Sequence, residues 1–414
     1  MADPIRIVFW SLLLLGNVVF LRAANITVCP SCKVSGLELA VQLAKDGDTI
    51  RVRAGTYTCT DLAIEKPLTL IGESGSVLDG LNEGYVLKLL QNNIRVKGFK
   101  IINSGRSYTK DFASIYVFKA DSFHISEVEI VNPFFGILVE KSDHGSIRKV
   151  RIHGNALKED DGGNGIHAWH CENLIIEKNE VSGVRDGIYL EFVDHSKILQ
   201  NHAYDNVRYG LHFMFSNHDQ YLDNTFERNG AGVAVMFSKF IVMKQNRFLQ
   251  NWGAASYGLL LKEIYDAEVI SNEFIENTTA IFIDGTTRIN YRNNLIKQNG
   301  WGMKVAGGCY TNRIFENDFI SNTFDISYNS KTNDNTFDGN YWSAYTGYDL
   351  DRNGIGDVPY RPVKLFSYIV NNTPETIVLM RSLFVDLINF SEKVSPVFTP
   401  DNLIDHSPAT QAFR

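Results

Sequence analysis

The 414-residue sequence is poor in proline, has no excess of basic residues and contains few cysteines. Ten prolines exclude proline-rich linkers between domains. Forty Lys and Arg against 47 Asp and Glu give a net charge of −7, which excludes a sequence-independent nucleic-acid binder because such a protein needs basic excess. We therefore expect no nucleic acid among its partners. The 26 Phe, 18 Tyr and 5 Trp residues exclude a mainly disordered chain, since these side chains need a dry core.

The first 24 residues show the order of charged, apolar and small residues that is typical of a secretory signal peptide. Arg6 is the positive flank, residues 7–21 form the apolar run, and Ala23 and Ala24 follow it. The alternative is an uncleaved anchor, but the run is short for a bilayer-spanning helix, which needs about 20 apolar residues. No later segment is apolar enough to span a membrane. We expect an exported, soluble protein.

Five cysteines are an odd number for an exported protein, so at least one thiol is unpaired or binds a ligand. Cys29 and Cys32 form a CxxC motif near the predicted mature N-terminus, and Cys59, Cys171 and Cys309 are scattered. One interpretation of the motif is a small disulfide, which could involve Cys59. The other is a thiolate pair that binds a soft metal. A zinc site would need a second such pair, which the sequence lacks.

A small residue followed by alternating apolar residues recurs about every 22 residues through the middle of the chain. The repeats begin at Gly136, Gly165, Gly187, Gly210, Gly232, Gly258, Ala280 and Gly302. A second series, Asn-x-x-x-x-Asn, runs in the same phase from Asn201 and Asn206 to Asn317 and Asn322. Asparagine tolerates the left-handed backbone at tight corners, and its amides stack in ladders. The units are too short for helical repeats. They predict an all-β chain folded as a right-handed parallel β-helix, with coils about 4.8 Å apart.

Both ends of the repeat region carry candidate caps. The segment Ser35 to Glu38 matches a capping box and predicts a short helix through Ala44 that covers the first coil. The repeat stops after Asn340, so we assign residues 25–344 to the β-helix and its N-terminal cap. Residues 345–414 contain an Asp-rich loop and apolar runs, which predict either C-terminal capping helices or a tail that docks on a partner.

One outward face of the predicted coils concentrates histidine and methionine. Residues two and four after each glycine point outward. These positions hold His212 and Met214 on one coil, Met236 on the next coil, and His167 two coils before His212. Thioether and imidazole ligands together favour Cu(I). We predict a weak, partly exposed copper site at these residues, with His167 as a transfer or capping ligand. The alternative is that the face only packs against a covering loop.

The repeat interval lengthens at two places that frame this face. Extra residues at 155–164 and 251–257 fall at the same corner of the coil. One insertion leads into the coil of His167, and the other follows the coil of Met236. Insertions on one side of a solenoid commonly mark its binding face, so they support a binding role for the column.

A second column of histidines lies eight residues after the repeat glycine. It holds His144, His195 and His218, of which the last two fall on adjacent coils. Histidines that stabilise a turn through nearby backbone are the commoner explanation of such a pattern.

An Asp-rich segment beyond the repeats matches the first nine positions of a calcium loop. Its oxygen ligands would be Asp349, Asp351, Asn353 and Asp357. The twelfth position is Tyr360 where a complete EF-hand has glutamate, so a complete EF-hand is excluded. A partial calcium loop and a plain acidic turn both remain open.

Several strings of the sequence are similar to one known family. They are Asp-Gly-Ile-Tyr-Leu-Glu at 186–191, Arg-Tyr-Gly-Leu-His-Phe-Met-Phe-Ser at 208–216, Gly-Val-Ala-Val-Met-Phe-Ser at 232–238 and Tyr-Asp-Leu-Asp-Arg-Asn-Gly-Ile-Gly-Asp-Val-Pro-Tyr-Arg-Pro at 348–362. The chain resembles the NosD family, periplasmic maturation factors of nitrous oxide reductase, over essentially its whole mature length. The Cys29/Cys32 pair departs from the family pattern, and its role is open.

The resemblance implies a periplasmic accessory protein rather than an enzyme. Its implied partners are an ABC-type ATPase with its membrane subunit, a small copper chaperone lipoprotein, and nitrous oxide reductase. The cargo would be copper for the clusters of the reductase. The resemblance does not say which side chains bind it.

The rival interpretation is a polysaccharide lyase or a uronate epimerase, since these enzymes commonly use the parallel β-helix. Such an enzyme needs paired carboxylates and a basic residue in a groove. The candidates are Glu159, Asp160 and Asp161, and Asp186 with Arg185. The Glu-Asp-Asp-Gly-Gly string is also typical of a polar turn.

Overall fold

The computed structural model describes residues 24–107, 109–328, 334–394 and 403–414. The predicted signal peptide, apart from Ala24, lies outside the described residues. Within these ranges, no helix combines the length and the apolar character that a membrane crossing requires. The described chain is built from three parallel sheets of 14, 13 and 12 strands, here called sheets A, B and C. The predicted parallel β-helix is confirmed.

The strands are numbered in chain order, and each coil contributes to the sheets in turn. Sheet A contains β1 (Asn25–Val28), β2 (Thr49–Val52), β5 (Thr69–Gly72), β8 (Arg95–Lys97), β11 (His124–Ser126), β14 (Ser146–Arg148), β17 (Ile175–Glu177), β20 (Lys197–Leu199), β23 (Gln220–Leu222), β26 (Val242–Lys244), β29 (Tyr265–Ile270), β32 (Thr287–Arg292), β35 (Tyr310–Phe315) and β38 (Asp334–Asp338). Sheet B contains β3 (Gly55–Thr58), β6 (Ser76–Asp79), β9 (Lys100–Ile102), β12 (Glu129–Val131), β15 (Arg151–His153), β18 (Glu180–Ser182), β21 (His202–Tyr204), β24 (Thr225–Glu227), β27 (Arg247–Leu249), β30 (Glu273–Ile275), β33 (Leu295–Lys297), β36 (Asp318–Ile320) and β39 (Tyr341–Trp342).

Sheet C carries the face that the sequence analysis singled out. It contains β4 (Leu62–Ile64), β7 (Leu87–Leu89), β10 (Ala113–Phe118), β13 (Phe135–Glu140), β16 (Ile166–Glu172), β19 (Asp186–Asp194), β22 (Tyr209–Met214), β25 (Ala231–Met236), β28 (Leu259–Lys262), β31 (Thr279–Asp284), β34 (Trp301–Val305) and β37 (Phe324–Tyr328). Its strands pair in parallel with their neighbours on adjacent coils, in the register that the glycine repeat predicts.

The helices lie outside the regular coils. They are α1 (Leu37–Leu43), a 3-10 turn (Glu159–Asp161), α2 (Leu365–Asn372), a second 3-10 turn (Pro374–Leu379) and α3 (Leu383–Val394). The predicted N-terminal helix is therefore present, but its capping box is wrong: Gly36 is the N-cap and no side chain caps the helix.

Alternation along each strand separates the core from the surface. The predicted inward residues Ile188, Leu190, Leu211, Phe213 and Val233 are all fully buried. Because every coil places an apolar side chain above the same position of the coil below, the interior is one continuous hydrophobic core.

Two ladders of asparagine hold the coils in register at two of the three corners. Between sheets A and B, the Nδ2 of Asn224 donates to the Oδ1 of Asn246 at 3.0 Å and to the backbone oxygen of Ile198 at 2.8 Å. The backbone nitrogen of Asn224 also donates to the Oδ1 of Asn246. The same pattern recurs between sheets B and C, for example from Asn206 to Asn229. Each buried amide therefore has its polar atoms satisfied within the stack.

The left-handed backbone lies one residue before the ladder, which corrects the predicted role of asparagine. Gln200 precedes Asn201 with φ of 53°, and Asp205 precedes Asn206 with φ of 51°. The ladder asparagines themselves stay out of this region because their side chains must point inward to meet the next coil. The residue with positive φ before these ladder asparagines is polar and faces outward, so this position accepts many polar residue types.

The C-terminal segment returns to close the last coil. The backbone nitrogen of Asn340 donates to Asp405 Oδ2 at 3.0 Å, its Nδ2 to the same oxygen at 3.2 Å, and Trp342 Nε1 does so at 3.0 Å. Asp405 therefore takes the place that the next asparagine of the ladder would have. It accepts without donating, which suits the end of a ladder. The predicted C-terminal cap is thus partly formed by residues 403–414.

The ladder yields a stability prediction. Replacing Asn246 by Ala removes the acceptor of Asn224 and leaves the backbone oxygen of Tyr221 without its donor. We expect a loss of about 2 to 4 kcal/mol in the free energy of unfolding, since several buried polar groups lose partners. Urea unfolding followed by circular dichroism measures this loss. The matched control is Lys244→Ala, an exposed position two residues away; equal losses in both variants would contradict a structural role for the ladder.

Candidate metal-binding site

The predicted histidine and methionine column lies on the outward face of sheet C, between the two coil insertions. The register places Met214 beside Met236 on the next coil. His212 lies beside Tyr189, and Tyr189 lies beside His167. The structure thus brings the two methionines together and keeps His167 two coils from His212, as predicted.

A tyrosine that the sequence analysis did not single out separates the two histidines. The Tyr189 ring meets His167 edge-on, with 4.7 Å between centroids, and meets His212 with 4.9 Å between centroids. Tyr209 also contacts His212, again with 4.9 Å between centroids. The imidazole of His212 therefore packs against two tyrosine rings.

His212 is buried without a hydrogen-bond partner. Only 7 % of its surface is exposed, and neither Nδ1 nor Nε2 is hydrogen-bonded within the described chain. Burial, partly opposed by the charge of Asp186, lowers the pKa of His212 to about 4. Burial also lowers the pKa of His167, whose Nε2 is likewise unpaired, to about 4. Both rings are neutral at physiological pH, the form that binds metals.

The burial of His212 corrects the predicted exposure of the site. The alternating pattern makes sheet C face outward at this position, but the rings of Tyr189 and Tyr209 pack against His212. Met214 and Met236 are half-buried. The covered face supports the packing alternative in part, yet packing alone leaves two unpaired ring nitrogens without compensation, which is costly.

A buried ion pair lies beside His212. Asp186 has no exposed surface, and its carboxylate accepts from the Nε of Arg208 at 2.8 Å and from its Nη2 at 2.5 Å. Its Oδ2 lies 4.0 Å from Nδ1 of His212, beyond hydrogen-bond length. These two hydrogen bonds from Arg208 fix the position of the Asp186 carboxylate.

The sulfur of Met214 lies near a polar group of the same face. The hydroxyl of Tyr189 is 3.9 Å from Sδ of Met214 and 3.3 Å from Oε2 of Glu191. No three His, Cys, Asp or Glu side chains converge on a metal position in the described ranges. A metal site on this face therefore requires the thioethers of Met214 and Met236.

Both predicted insertions lie at the corner between sheets B and C, and a third loop lies at the same corner. The hydroxyl of Tyr257, in the second insertion, lies 3.5 Å from that of Tyr209. Arg106, in the connection from β9 to β10, donates to the Asp161 carbonyl and to Asn155 Oδ1 of the first insertion, both at 3.1 Å. The third loop escaped the sequence analysis because its coil lacks the glycine and asparagine pattern.

The cysteines give no thiolate pair as the chain stands. Cys29 and Cys32 are joined by a disulfide, with 5.0 Å between their Cα atoms, so the disulfide interpretation of the CxxC motif is confirmed and does not involve Cys59. Cys59, Cys171 and Cys309 are free and buried. Burial raises the pKa of the Cys59 thiol to about 12, which makes it inert.

The second histidine column forms exposed turns. His144, His195 and His218 all have positive φ, and the rings of His195 and His218 stack with 4.9 Å between centroids. They are therefore corner residues of the coil. Nothing in their geometry converges on a ligand.

The calcium-loop pattern is an exposed turn in which the acidic side chains accept hydrogen bonds from the loop itself. Asp349 accepts from the backbone nitrogens of Asn353 and Gly354, and Asp357 accepts from that of Leu350. Asp351 accepts from Nδ2 of Asn353. Calcium binding at these residues remains a prediction.

The carboxylates proposed for an enzyme do not form a paired site. Glu159, Asp160 and Asp161 form the 3-10 turn of the first insertion and are exposed. Asp186 is engaged by Arg208, as described above, and Arg185 donates to Asn164 Oδ1 at 3.0 Å.

Comparison with known proteins finds similarity to one family. Residues 149–347 match the family model described as "Periplasmic copper-binding protein (NosD)". A curated relative in Pseudomonas aeruginosa, the "Probable ABC transporter binding protein NosD", is 29 % identical over 386 residues, covering 88 % of this chain and 89 % of the relative. The protein of the same name in Stutzerimonas stutzeri is 27 % identical over 388 residues, covering 88 % of each chain. The chain therefore contains a match to the NosD family model and is similar to proteins named NosD over most of its length. The matched residues include the whole histidine and methionine column.

Solved structures share the fold with this chain but little sequence. The A-module of mannuronan C-5 epimerase AlgE6 from Azotobacter vinelandii has a TM-score of 0.64 at 15 % identity, covering 74 % of this chain and 95 % of the module. The adhesin PfbA of Streptococcus pneumoniae has a TM-score of 0.57 at 14 % identity, covering 70 % and 93 %. An enzyme and an adhesin thus share this architecture, so the fold alone does not decide function.

The unpaired imidazole yields a pH prediction. The pKa of His212 is lower in the folded chain than in the unfolded one, so the unfolded state binds more protons as the pH falls from about 6.5 towards 4, and stability is lost over that window. In His212→Leu this loss should be smaller, by about 2 kcal/mol at pH 5. At pH 7 we expect the variant to be at least as stable as the wild type, since two unpaired polar atoms are removed.

Urea unfolding of both proteins at pH 7 and pH 5, without copper, measures these differences. The control is His218→Leu, an exposed histidine on the same coil. If His212→Leu is destabilised equally at both pH values, His212 has an ordinary structural role.

Proposed function

We propose that this protein accepts copper in the periplasm and delivers it for assembly of the copper sites of nitrous oxide reductase. It would do so together with an ABC-type transporter and a copper chaperone lipoprotein. The observation that carries the proposal is a buried, neutral imidazole with two unpaired nitrogens, next to two adjacent methionines on one face. The family description and the names of the relatives agree with the coarse role.

The donor set suits Cu(I) as cargo. Two thioethers and a neutral imidazole are soft or intermediate ligands, which favour Cu(I) over hard cations. His212, Met214 and Met236 would hold the ion, and His167 would receive it or pass it on. In this arrangement the carboxylate of Asp186 would orient His212 through Nδ1 and leave Nε2 for the metal.

A binding site for transfer needs a route to the surface. Met214 and Met236 are half-buried and not enclosed, whereas His212 lies beneath the aromatic rings. The methionines would therefore meet an incoming ion first. Three soft ligands with open access release copper faster than a closed cage of four ligands.

A double variant tests the metal ligands. Met214→Leu with Met236→Leu conserves volume and removes both sulfurs, so folding should persist. We expect Cu(I) affinity to fall on the order of a hundredfold, since each lost ligand contributes more than 1.4 kcal/mol. Anaerobic titration with a competing Cu(I) chelator measures the affinity.

The matched control removes two other sulfurs. Met243 and Met303 are fully buried on the inward side of the coils, and Met243→Leu with Met303→Leu should leave copper affinity unchanged. Wild-type affinity in the Met214/Met236 variant would show that the column is packing. Attention would then pass to the reduced form of Cys29 and Cys32.

A second element of the proposal is docking on the membrane partner through α3. One side of this helix packs on the coils through Val385, within a cluster that includes Phe366 and Val370. The other side presents Leu383, Phe384, Leu387 and Phe390, which are between 55 and 74 % exposed among the described residues. A helix that only caps the coils does not need apolar side chains on its exposed side, and these four form an apolar patch there. The relatives' name, ABC transporter binding protein, agrees with this use of the patch.

Substitution within α3 tests docking better than truncation, because residues 403–414 cap the last coil. Leu387→Glu with Phe390→Glu should leave a folded, secreted protein that no longer co-purifies with its co-expressed transporter. The control is Asp386→Ala, an exposed position on the same helix. Undiminished co-purification of the double variant would contradict docking through α3.

The enzyme alternative has its own readout. Purified protein without copper can be incubated with alginate and other acidic polysaccharides, and product formation would favour it over the copper proposal. We expect none, since the candidate carboxylates are exposed on a turn or held by Arg208.

A further inference from the structure

A cavity opens on sheet C, on the C-terminal side of the histidine and methionine column. Its volume is about 290 Å³. The second insertion provides Ser256 and Tyr257 to its wall, β34 provides Lys304, and α2 provides Asn371. Thr278 lies at the corner between them. No carboxylate lines this cavity, so its polar groups are a cation, hydroxyls and an amide.

The lysine in this cavity has no counter-ion. Lys304 forms no ion pair with any carboxylate in the described part of the chain, and burial lowers its pKa. Its Nζ lies 4.6 Å from the ring centroid of Trp301, which supplies a weak electrostatic contact in place of a carboxylate. Lys304 is half-buried, and a partly desolvated charge without a carboxylate beside it is stabilised by an anionic ligand.

A second group in the wall is also unpaired. Ser256 is 3 % exposed, and its Oγ has no hydrogen-bond partner within the described chain. Its hydroxyl lies in the same wall as Lys304, on a loop that the repeat pattern does not require. One cavity thus brings together a lysine without an ion-pair partner and a buried hydroxyl without a hydrogen-bond partner in the described chain.

We propose that this cavity binds a small tetrahedral oxyanion of the phosphate or sulfate class, with Lys304 and Ser256 as its main donors. An oxyanion supplies acceptors in several directions, which matches three ammonium protons and a hydroxyl. The cavity holds such an ion with a few waters and is too small for a nucleotide. The site is separate from the copper ligands, although Tyr257 borders both.

Binding of inorganic phosphate to the whole mature protein tests the site. Calorimetric titration is done at constant ionic strength, with sodium chloride replaced by sodium phosphate and, in a parallel series, by sodium sulfate. We expect Lys304→Met to weaken binding on the order of tenfold or more, the effect of losing one charge-assisted hydrogen bond. Ser256→Ala should weaken it less, and Lys262→Met, an exposed lysine on the same face, should not change it.

Thermal unfolding gives an independent readout that does not depend on measurable heats. Phosphate stabilises many proteins non-specifically, so the informative quantity is the difference between wild type and variant. Lys304→Met should be at least as stable as wild type without phosphate and should lose the additional rise in Tm with it. Effects of both anions mean a general oxyanion site, and an effect of phosphate alone means a phosphate site.

Three results would overturn the inference. They are no binding of either anion by the wild type, equal binding by wild type and Lys304→Met, and an equal loss of binding in Lys262→Met. If Lys304→Met fails to fold, anion binding by Ser256→Ala tests the site instead. This variant should fold, because the Ser256 hydroxyl has no hydrogen-bond partner in the described chain whose loss would destabilise the protein. None of these measurements involves copper, so the inference stands or fails apart from the proposed function.

Discussion

The hydrogen bonds between successive asparagines are the constraint on which the rest of the molecule depends. Each amide of the ladder donates to the coil on one side and accepts from the coil on the other, so a coil cannot slip by one residue without breaking buried bonds. This register is what places Met214 beside Met236 and Tyr189 between two histidines. The asparagines at the corners therefore determine which side chains lie next to each other on the outward face of sheet C.

The histidine and methionine column of sheet C carries an energetic cost, because His167 and His212 hold three buried ring nitrogens without a hydrogen-bond partner in the described chain. Here His212 and His167 are desolvated, and the pKa of each falls to about 4. Local violations of the rules that hold a fold together are expected at functional positions. The stable stack of coils tolerates the cost because its stability is a sum over many similar interfaces.

The sequence predicts features that recur and misses those formed by distant segments. The period, the inward residues and the methionine pair follow from spacing, since every coil makes the same contacts. His212 packs against Tyr209, and the Tyr209 hydroxyl lies near that of Tyr257 in the second insertion, a contact that no local pattern of the sequence indicates. The same holds for Asp405, which meets Asn340 from 65 residues away. A single aspartate in a tail carries no signal that it ends a ladder.

The position of Asp405 bears on how the chain matures. Coils can stack one after another as the chain emerges, since each needs only its predecessor. The final coil is different, because Asn340 and Trp342 share an acceptor that is synthesised much later. Until that segment arrives, the last edges of sheets A and B remain open to pairing with other strands. This end of the stack is therefore sealed by a segment that can join it only after all of the coils have been synthesised.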